Sequence, residues 1–185
     1  MRNGAFSLFF EKRGLYQLLW HRYFKAAGRF CKGNITKYVA AADAFDFLKE
    51  NRSFHLIVAN DVIEHIPKER ILEFLHLVFK SLEMGGIVFV KTDNMSNPFG
   101  LRGRYMDVSH EIGFTEHSLF EVLNATGFQN IHLIGAYYPV RSFKSLVGRL
   151  GGALARRLLK LLFLVQGYPP PKILDKDVIA IAVKR

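Results

Sequence analysis

The sequence predicts an α/β fold, a sheet covered by helices, and three observations carry that expectation. Within FHLIVANDVIEHIP (54–67), residues 55–58 form an apolar, β-branched run too short for a helix, which reads as a buried strand. A second buried run, residues 87–91, follows a segment in which Ile71, Leu72, Phe74, Leu75, Val78, Phe79 and Leu82 recur at helical spacing. Both runs exit into polar residues, Asn60-Asp61 and Thr92-Asp93-Asn94, at the strand ends where open α/β sheets bind ligands. An ordinary strand with a polar exit is the plainer alternative.

Taken in order, residues 38–42 read as a strand, with Asp43-Ala44 at its tip and a short helix over 45–50 that Asp43 could cap. Pro67 suits the first turn of the 67–82 helix, with Glu69 near its positive end. Gly85-Gly86 is expected to stop that helix, since glycine accepts the left-handed cap. Residues 95–118 read as a long loop rich in Gly, Arg and aromatics, a length that usually signals function or disorder. Thr115-Glu116 opens a helix carrying Leu119, Phe120, Val122 and Leu123, and Gly127-Phe128 ends it. Residues 131–138 form the next strand.

Residues 141–165 make a basic amphipathic segment in which Leu146, Val147, Leu150, Leu154, Leu158, Leu161, Leu162 and Val165 share one face. Arg149, Arg156 and Lys160 lie elsewhere on it, and Gly148, Gly151 and Gly152 each cost the helix roughly 1 kcal/mol against alanine. Such a segment either covers the sheet or lies in an anionic membrane interface. Three prolines, 169–171, then break the chain, and residues 178–183 close the domain as an antiparallel strand.

With 185 residues, half of them hydrophobic, the chain holds one domain with a real core. The single Cys31 excludes an internal disulfide and fits a reducing cytoplasm. Glu11, Lys12 and Arg13 interrupt the N-terminal apolar patch, so no signal peptide is expected. No apolar run approaches the roughly 20 residues of a membrane span. The net charge of +10 sits in the flanks: residues 34–121 hold nine basic against thirteen acidic residues, and 122–174 hold seven basic and none acidic. A nucleic-acid binder more often spreads its charge over a groove-facing surface, so nucleic acid is not expected as a partner.

FHLIVANDVIEHIP, followed by LEMGGIVFVKTDN at 82–94, resembles the second half of a class I S-adenosylmethionine-dependent methyltransferase of the type 11/23 kind. That family's fourth strand ends in D-V-I/L-E-H-I/V; a helix, an L-K-P-G-G turn and a fifth strand ending T-P-N follow. Met84 stands where the family has proline, and Asp93 departs from its T-P-N. The resemblance runs from about residue 34 to 128 and implies a Rossmann-like sheet in the order 3-2-1-4-5-7-6, with S-adenosylmethionine as cofactor. It also implies a sheet lacking its first strand and most of the glycine loop. Asn3-Gly4-Ala5-Phe6 resembles only the tail of that loop, with Gly4 its last glycine and residues 7–13 the helix behind it. Residues 15–25 fit no second strand, yet Trp-His-Arg-Tyr-Phe can be encoded by bases that, read one position later, give Gly-Ile-Asp-Ile-Ser. The division expected is therefore 1–33, an anomalous remnant of the cofactor-loop region; 34–140, the methyltransferase core; and 141–185, the basic segment with the closing strand.

By the same resemblance Asp43 and Ala44 would meet the adenine, and Asn60, Asp61 and Val62 would lie along the cofactor. His65 and His110 would face the acceptor as general-base candidates, with Asp61 and Glu64 orienting them. Arg102 and Arg104, beside Tyr105, could clamp an anionic acceptor. A metal is not expected, because His110-Glu111 and His117 lack the helical i, i+4 histidine pair of a zinc helix. The function implied is methyl transfer to a small-molecule, lipid or glycan-linked acceptor. The alternatives are a decayed or frameshifted, non-catalytic remnant and a basic membrane-associated module, peripheral to the membrane.

Overall fold

The computed structural model describes residues 7–12, 15–20, 39–50, 53–136 and 142–185. Its centre is the parallel pair β4 (Phe54–Asn60) and β5 (Leu82–Asp93), registered from Leu56 against Ile87 to Asn60 against Lys91. Parallel neighbours need a crossover. Two 3-10 turns, Ile63–His65 and Lys68–Arg70, lead into the crossover helix α2 (Ile71–Ser81). Ahead of this unit come β1 (Ser7–Lys12), β2 (Leu15–Trp20), β3 (Val39–Ala41) and the short α1 (Ala44–Leu48). Behind it come α3 (Gly100–Met106), α4 (Glu116–Ala125), β6 (Gln129–Gly135), α5 (Phe143–Val165) and β7 (Asp177–Val183).

The strand order is β3-β2-β1-β4-β5-β7-β6, and β7 runs antiparallel to both of its neighbours, as expected. Residues Ile57, Ala59, Val88, Val90, Val178, Ala180 and Ala182 alternate along their strands onto one buried face. Phe74, Leu75 and Val78 of α2, Leu119 and Leu123 of α4, and the rings of Phe114 and Phe128 complete this core. α4 starts as the sequence predicts: Thr115 accepts from Ser118 N and the Ser118 side chain answers Thr115 N, a capping box.

Four expectations are corrected. Residues 7–12 form a strand, not the helix behind a glycine loop. β1 pairs antiparallel with β4, Ser7 opposite Asn60; and residues 15–20, expected to fit no second strand, form β2 in the second place of the sheet, parallel to β3. Among the described residues no parallel first strand stands beside β4, and the antiparallel pair β1–β2 occupies that place; the apolar run 8–10 favours a pleated strand, and pairing removes an open edge on β4.

Gly85-Gly86 does not cap α2. The helix ends at Ser81 because Leu82 turns extended and buries its side chain in the sheet opposite Phe54. The glycines form the irregularity between that pair and Leu56–Ile87: Gly85 has φ +79°, its N–H donates to Lys184 O at 2.8 Å, and Lys184 N donates to Gly86 O at 2.9 Å. Residues 95–118 are not one irregular loop, since α3 lies within them. A Cβ on Gly100 would collide with the Asn94 carbonyl and one on Gly103 with the Asp93 carboxylate, so these glycines let a helix lie against the β5 exit.

Candidate functional site

The site is built where β3 and β4 end. Asp43 follows β3 and serves as N-cap of α1, its Oδ1 accepting from the N–H of Phe45 at 2.9 Å and of Asp46 at 3.3 Å. Ala44 is buried beside it. At the β4 exit Asp61 takes φ +52°, the left-handed region that non-glycine residues enter mostly where something nearby demands it. Its N–H donates to Lys91 O at 2.9 Å, and its carboxylate accepts from Lys91 Nζ at 2.7 Å and from Asn60 Nδ2 at 2.9 Å. Burial acts to lower the Lys91 ammonium, but the bond to Asp61 and the nearby carboxylates outweigh it and hold its pKa above the ordinary value. Val62 is buried next in line.

The turn Ile63–His65 then aims Glu64 inward, 3% exposed. Thr92, at the β5 exit, donates its hydroxyl to Glu64 Oε2 at 2.9 Å. Burial pushes the Glu64 carboxyl up to about 8, with Asp61 and Asp93 adding to the rise. Glu64 also works through its backbone: its carbonyl accepts from Glu111 N at 2.8 Å and Ile112 N at 3.2 Å. Two strand exits and the segment after α3 are thereby tied together.

That tie brings the two candidate histidines into contact although 44 residues of sequence lie between them. Their rings meet edge to face, centroids 4.5 Å apart. His65 Nδ1 lies 3.1 Å from Ser109 O and 3.0 Å from Ser109 Oγ. Asp107 fixes Ser109 in turn, its Oδ1 accepting from Ser109 N at 2.9 Å and from Oγ at 2.6 Å; these bonds hold the Asp107 carboxyl below its usual range. One ligand atom each from Glu64, His65 and His110 lie within 4.8 Å of one another.

The remaining candidates spread out. Arg104 does not reach outward: it donates from Nη1 to His110 O and from Nη2 to Glu111 O at 2.7 Å, and so positions His110. Arg102 is exposed, and Tyr105 is 78% exposed with its ring 5.4 Å from the Arg104 guanidinium. Gly4 lies outside the described residues, as does the stretch 21–25 that follows β2. The sequence gives no role to Lys91, Asp107 and Ser109, and marks Thr92 only as part of a strand exit. Lys91 carried a signal, a lone charge closing the apolar run Ile87-Val88-Phe89-Val90; the others become partners only through the fold.

Residues 5–133 match the family model described as a methyltransferase domain, a span that includes the whole cluster above. No curated protein matches the sequence. Among solved structures, a SAM-dependent methyltransferase from Archaeoglobus fulgidus is similar with TM-score 0.63 and 18% identity, over 90% of this chain and 75% of that one. A SAM-dependent methyltransferase from Thermotoga maritima, described as a possible histamine N-methyltransferase, gives 0.62 and 12%, over 90% and 72%. The N-methyltransferase NodS from Bradyrhizobium japonicum, solved with S-adenosylhomocysteine, gives 0.53 and 15%, over 91% and 66%. Such identities speak for the fold, and the family-model match speaks for membership. With its Rossmann-like strand order and strand-tip site, the chain belongs to the methyltransferase domain family, the class I S-adenosylmethionine-dependent methyltransferases.

Proposed function

We propose that this chain transfers a methyl group from S-adenosylmethionine to a small-molecule, lipid or glycan-linked acceptor seated at Glu64, His65 and His110. The observation that carries the reading is the convergence of both histidines on the β4 exit. The tips of β3 and β4 suit the cofactor chemically: Asp43, Asn60 and Asp61 offer acceptors for an amino and an ammonium group, and Ala44 and Val62 give apolar surface for a ring. Gly4 joins this set through the family resemblance. In this reading residues 1–33 are an anomalous remnant of the cofactor-loop and second-strand region, 34–140 the methyltransferase core, and 141–185 the basic amphipathic segment with the closing strand β7, which lies in the sheet between β5 and β6.

The cofactor supplies a methyl group on a sulfonium, ready for in-line attack. The protein's part is to hold the acceptor's nucleophilic atom in line, where positioning carries much of the acceleration. His65 and His110 stand on the acceptor side and govern its proton, while Asp107 and Ser109 fix the His65 ring and Arg104 fixes the His110 backbone. The exposed Arg102 and Tyr105 would steer an anionic acceptor. Labelled-methyl transfer across amine, hydroxyl and phosphorylated acceptors tests the proposal. His65→Asn and His110→Asn should each lower turnover roughly 10²–10⁴-fold with cofactor binding intact. Full turnover by both variants would sink the assignment.

A second role is favoured by α5. The residues Leu150, Leu154, Leu158, Leu161, Leu162 and Val165 are each at least 55% exposed. The stripe does not cover the sheet. The other side of the helix is tethered instead, Arg156 Nη1 lying 3.5 Å from Asp175 Oδ1 and Lys160 Nζ 3.5 Å from Lys172 O. Among the described residues no helix is long and apolar enough to cross a membrane. We read α5 as lying in the interface of an anionic membrane, its leucines immersed and Arg157 near the headgroups. Cosedimentation with phosphatidylserine vesicles, lost in high salt and with Leu154→Ser and Leu158→Ser together, is the expected result; equal partitioning of that variant would end this reading.

A further inference from the structure

We infer that Glu64, His65 and His110 form a binding site for a divalent transition-metal cation. The sequence lacks the two histidines on one helix that mark a zinc helix. The fold assembles the set differently, from the 3-10 turn after β4 and the segment after α3. One carboxylate and two imidazoles are the donors of a catalytic zinc site or of a facial triad, and they leave coordination positions open.

Four features of the site suit an ion. The three ligand atoms lie within 4.8 Å of one another, while ligands about 2.1 Å from a common ion stand roughly 3–3.5 Å apart. Closing by about an ångström is a matter of side-chain rotation for two partly exposed rings. Glu64 is 3% exposed, and a buried carboxylate is costly to ionise without a cation beside it. His65 is held as metal-bound histidines are: its Nδ1 lies 3.1 Å from the Ser109 carbonyl, a backbone contact that fixes the orientation of the ring. The carboxylate has an equivalent support in the Thr92 hydroxyl at 2.9 Å. Borderline nitrogen and oxygen donors select Zn²⁺, Co²⁺ or Mn²⁺ over Ca²⁺.

Cation binding rests on this geometry alone. Its use rests on the proposed function: both imidazoles would act on the acceptor's proton through the ion they hold, which would acidify an acceptor oxygen or nitrogen in an open coordination position and let its proton pass to solvent. The test titrates the metal-free chain with Co²⁺ and with Zn²⁺, without cofactor or acceptor, following the cobalt visible spectrum and the heat of binding. One equivalent is expected, with a spectrum of mixed nitrogen and oxygen ligation. Glu64→Gln, His65→Ala and His110→Ala should each weaken binding at least tenfold, and Thr92→Val by roughly 10–100-fold. His117→Ala, remote from the cluster, should leave it unchanged. Because Glu64 is buried, each variant's urea transition is measured alongside; His110 is partly exposed, so His110→Ala keeps the test decisive if Glu64→Gln unfolds. Absence of saturable binding by the folded protein, or binding that survives His110→Ala, overturns the site. Ion binding without methyl transfer would leave the site standing and overturn the proposed function instead.

Discussion

Helices α2 and α5 carry the same apolar periodicity and meet opposite fates. In α2 the stripe of Ile71, Phe74, Leu75 and Val78 is at most 3% exposed. In α5 the stripe from Leu150 to Val165 stands open to solvent. The difference lies in what surrounds each helix. α2 is the crossover between two parallel strands, so the connection itself presses it onto the sheet. α5 follows an edge strand, β6, and is held by polar contacts on its other side. Period 3.6 therefore says that a helix has an apolar face, and only topology says whether the protein itself covers it.

The largest effect should come from the covered stripe. Phe74 is fully buried and packs edge-on against Phe45, so Phe74→Ala should cost about 3–5 kcal/mol in urea unfolding. A loss under about 1 kcal/mol would mean that α2 is no better packed than α5. An intermediate effect is expected at α4, whose buried Leu119 and Leu123 resemble α2 but whose start depends on its capping box. Thr115→Ala should cost about 1 kcal/mol, read in the same assay. The smallest effect belongs to the open stripe: Leu154→Ser with Leu158→Ser should shift stability by no more than about 0.5 kcal/mol while abolishing vesicle binding. A destabilisation as large as that of Phe74→Ala would break the comparison, since the stripe would then be packed in solution.

The sequence makes legible whatever depends on near neighbours. Thr115-Glu116 marks a helix start, Gly127, found at φ +95°, marks its end, and the apolar run over 87–91 marks a strand. Asp43 as N-cap belongs to the same class, because its partners are two and three residues away. Gly85-Gly86 misleads for the converse reason: its conformation answers to Lys184, a hundred residues on. α3 hides because Gly100 and Gly103 read as loop residues until β5 is seen lying against them. β1 hides because the gap beside β4 exists only in the sheet.

The candidate site divides along the same line. The run Asn60-Asp61-Val62, with Glu64 and His65 behind it, marks a strand tip, and the resemblance adds His110. Their mutual contact, and the support from Lys91, Thr92, Asp107 and Ser109, arise from strand pairing and from Glu64 O holding residues 111 and 112. No spacing in the sequence encodes that.

The central claim is that the strand tips of this chain hold the methyl-donor cofactor. Calorimetric titration of the purified chain with S-adenosylhomocysteine tests it most directly. The account predicts saturable binding of one equivalent, weakened by about 1.5–3 kcal/mol in Asp61→Ala, the worth of a hydrogen bond to a charged group. No heat up to millimolar ligand, from a sample with a cooperative urea transition, would contradict it.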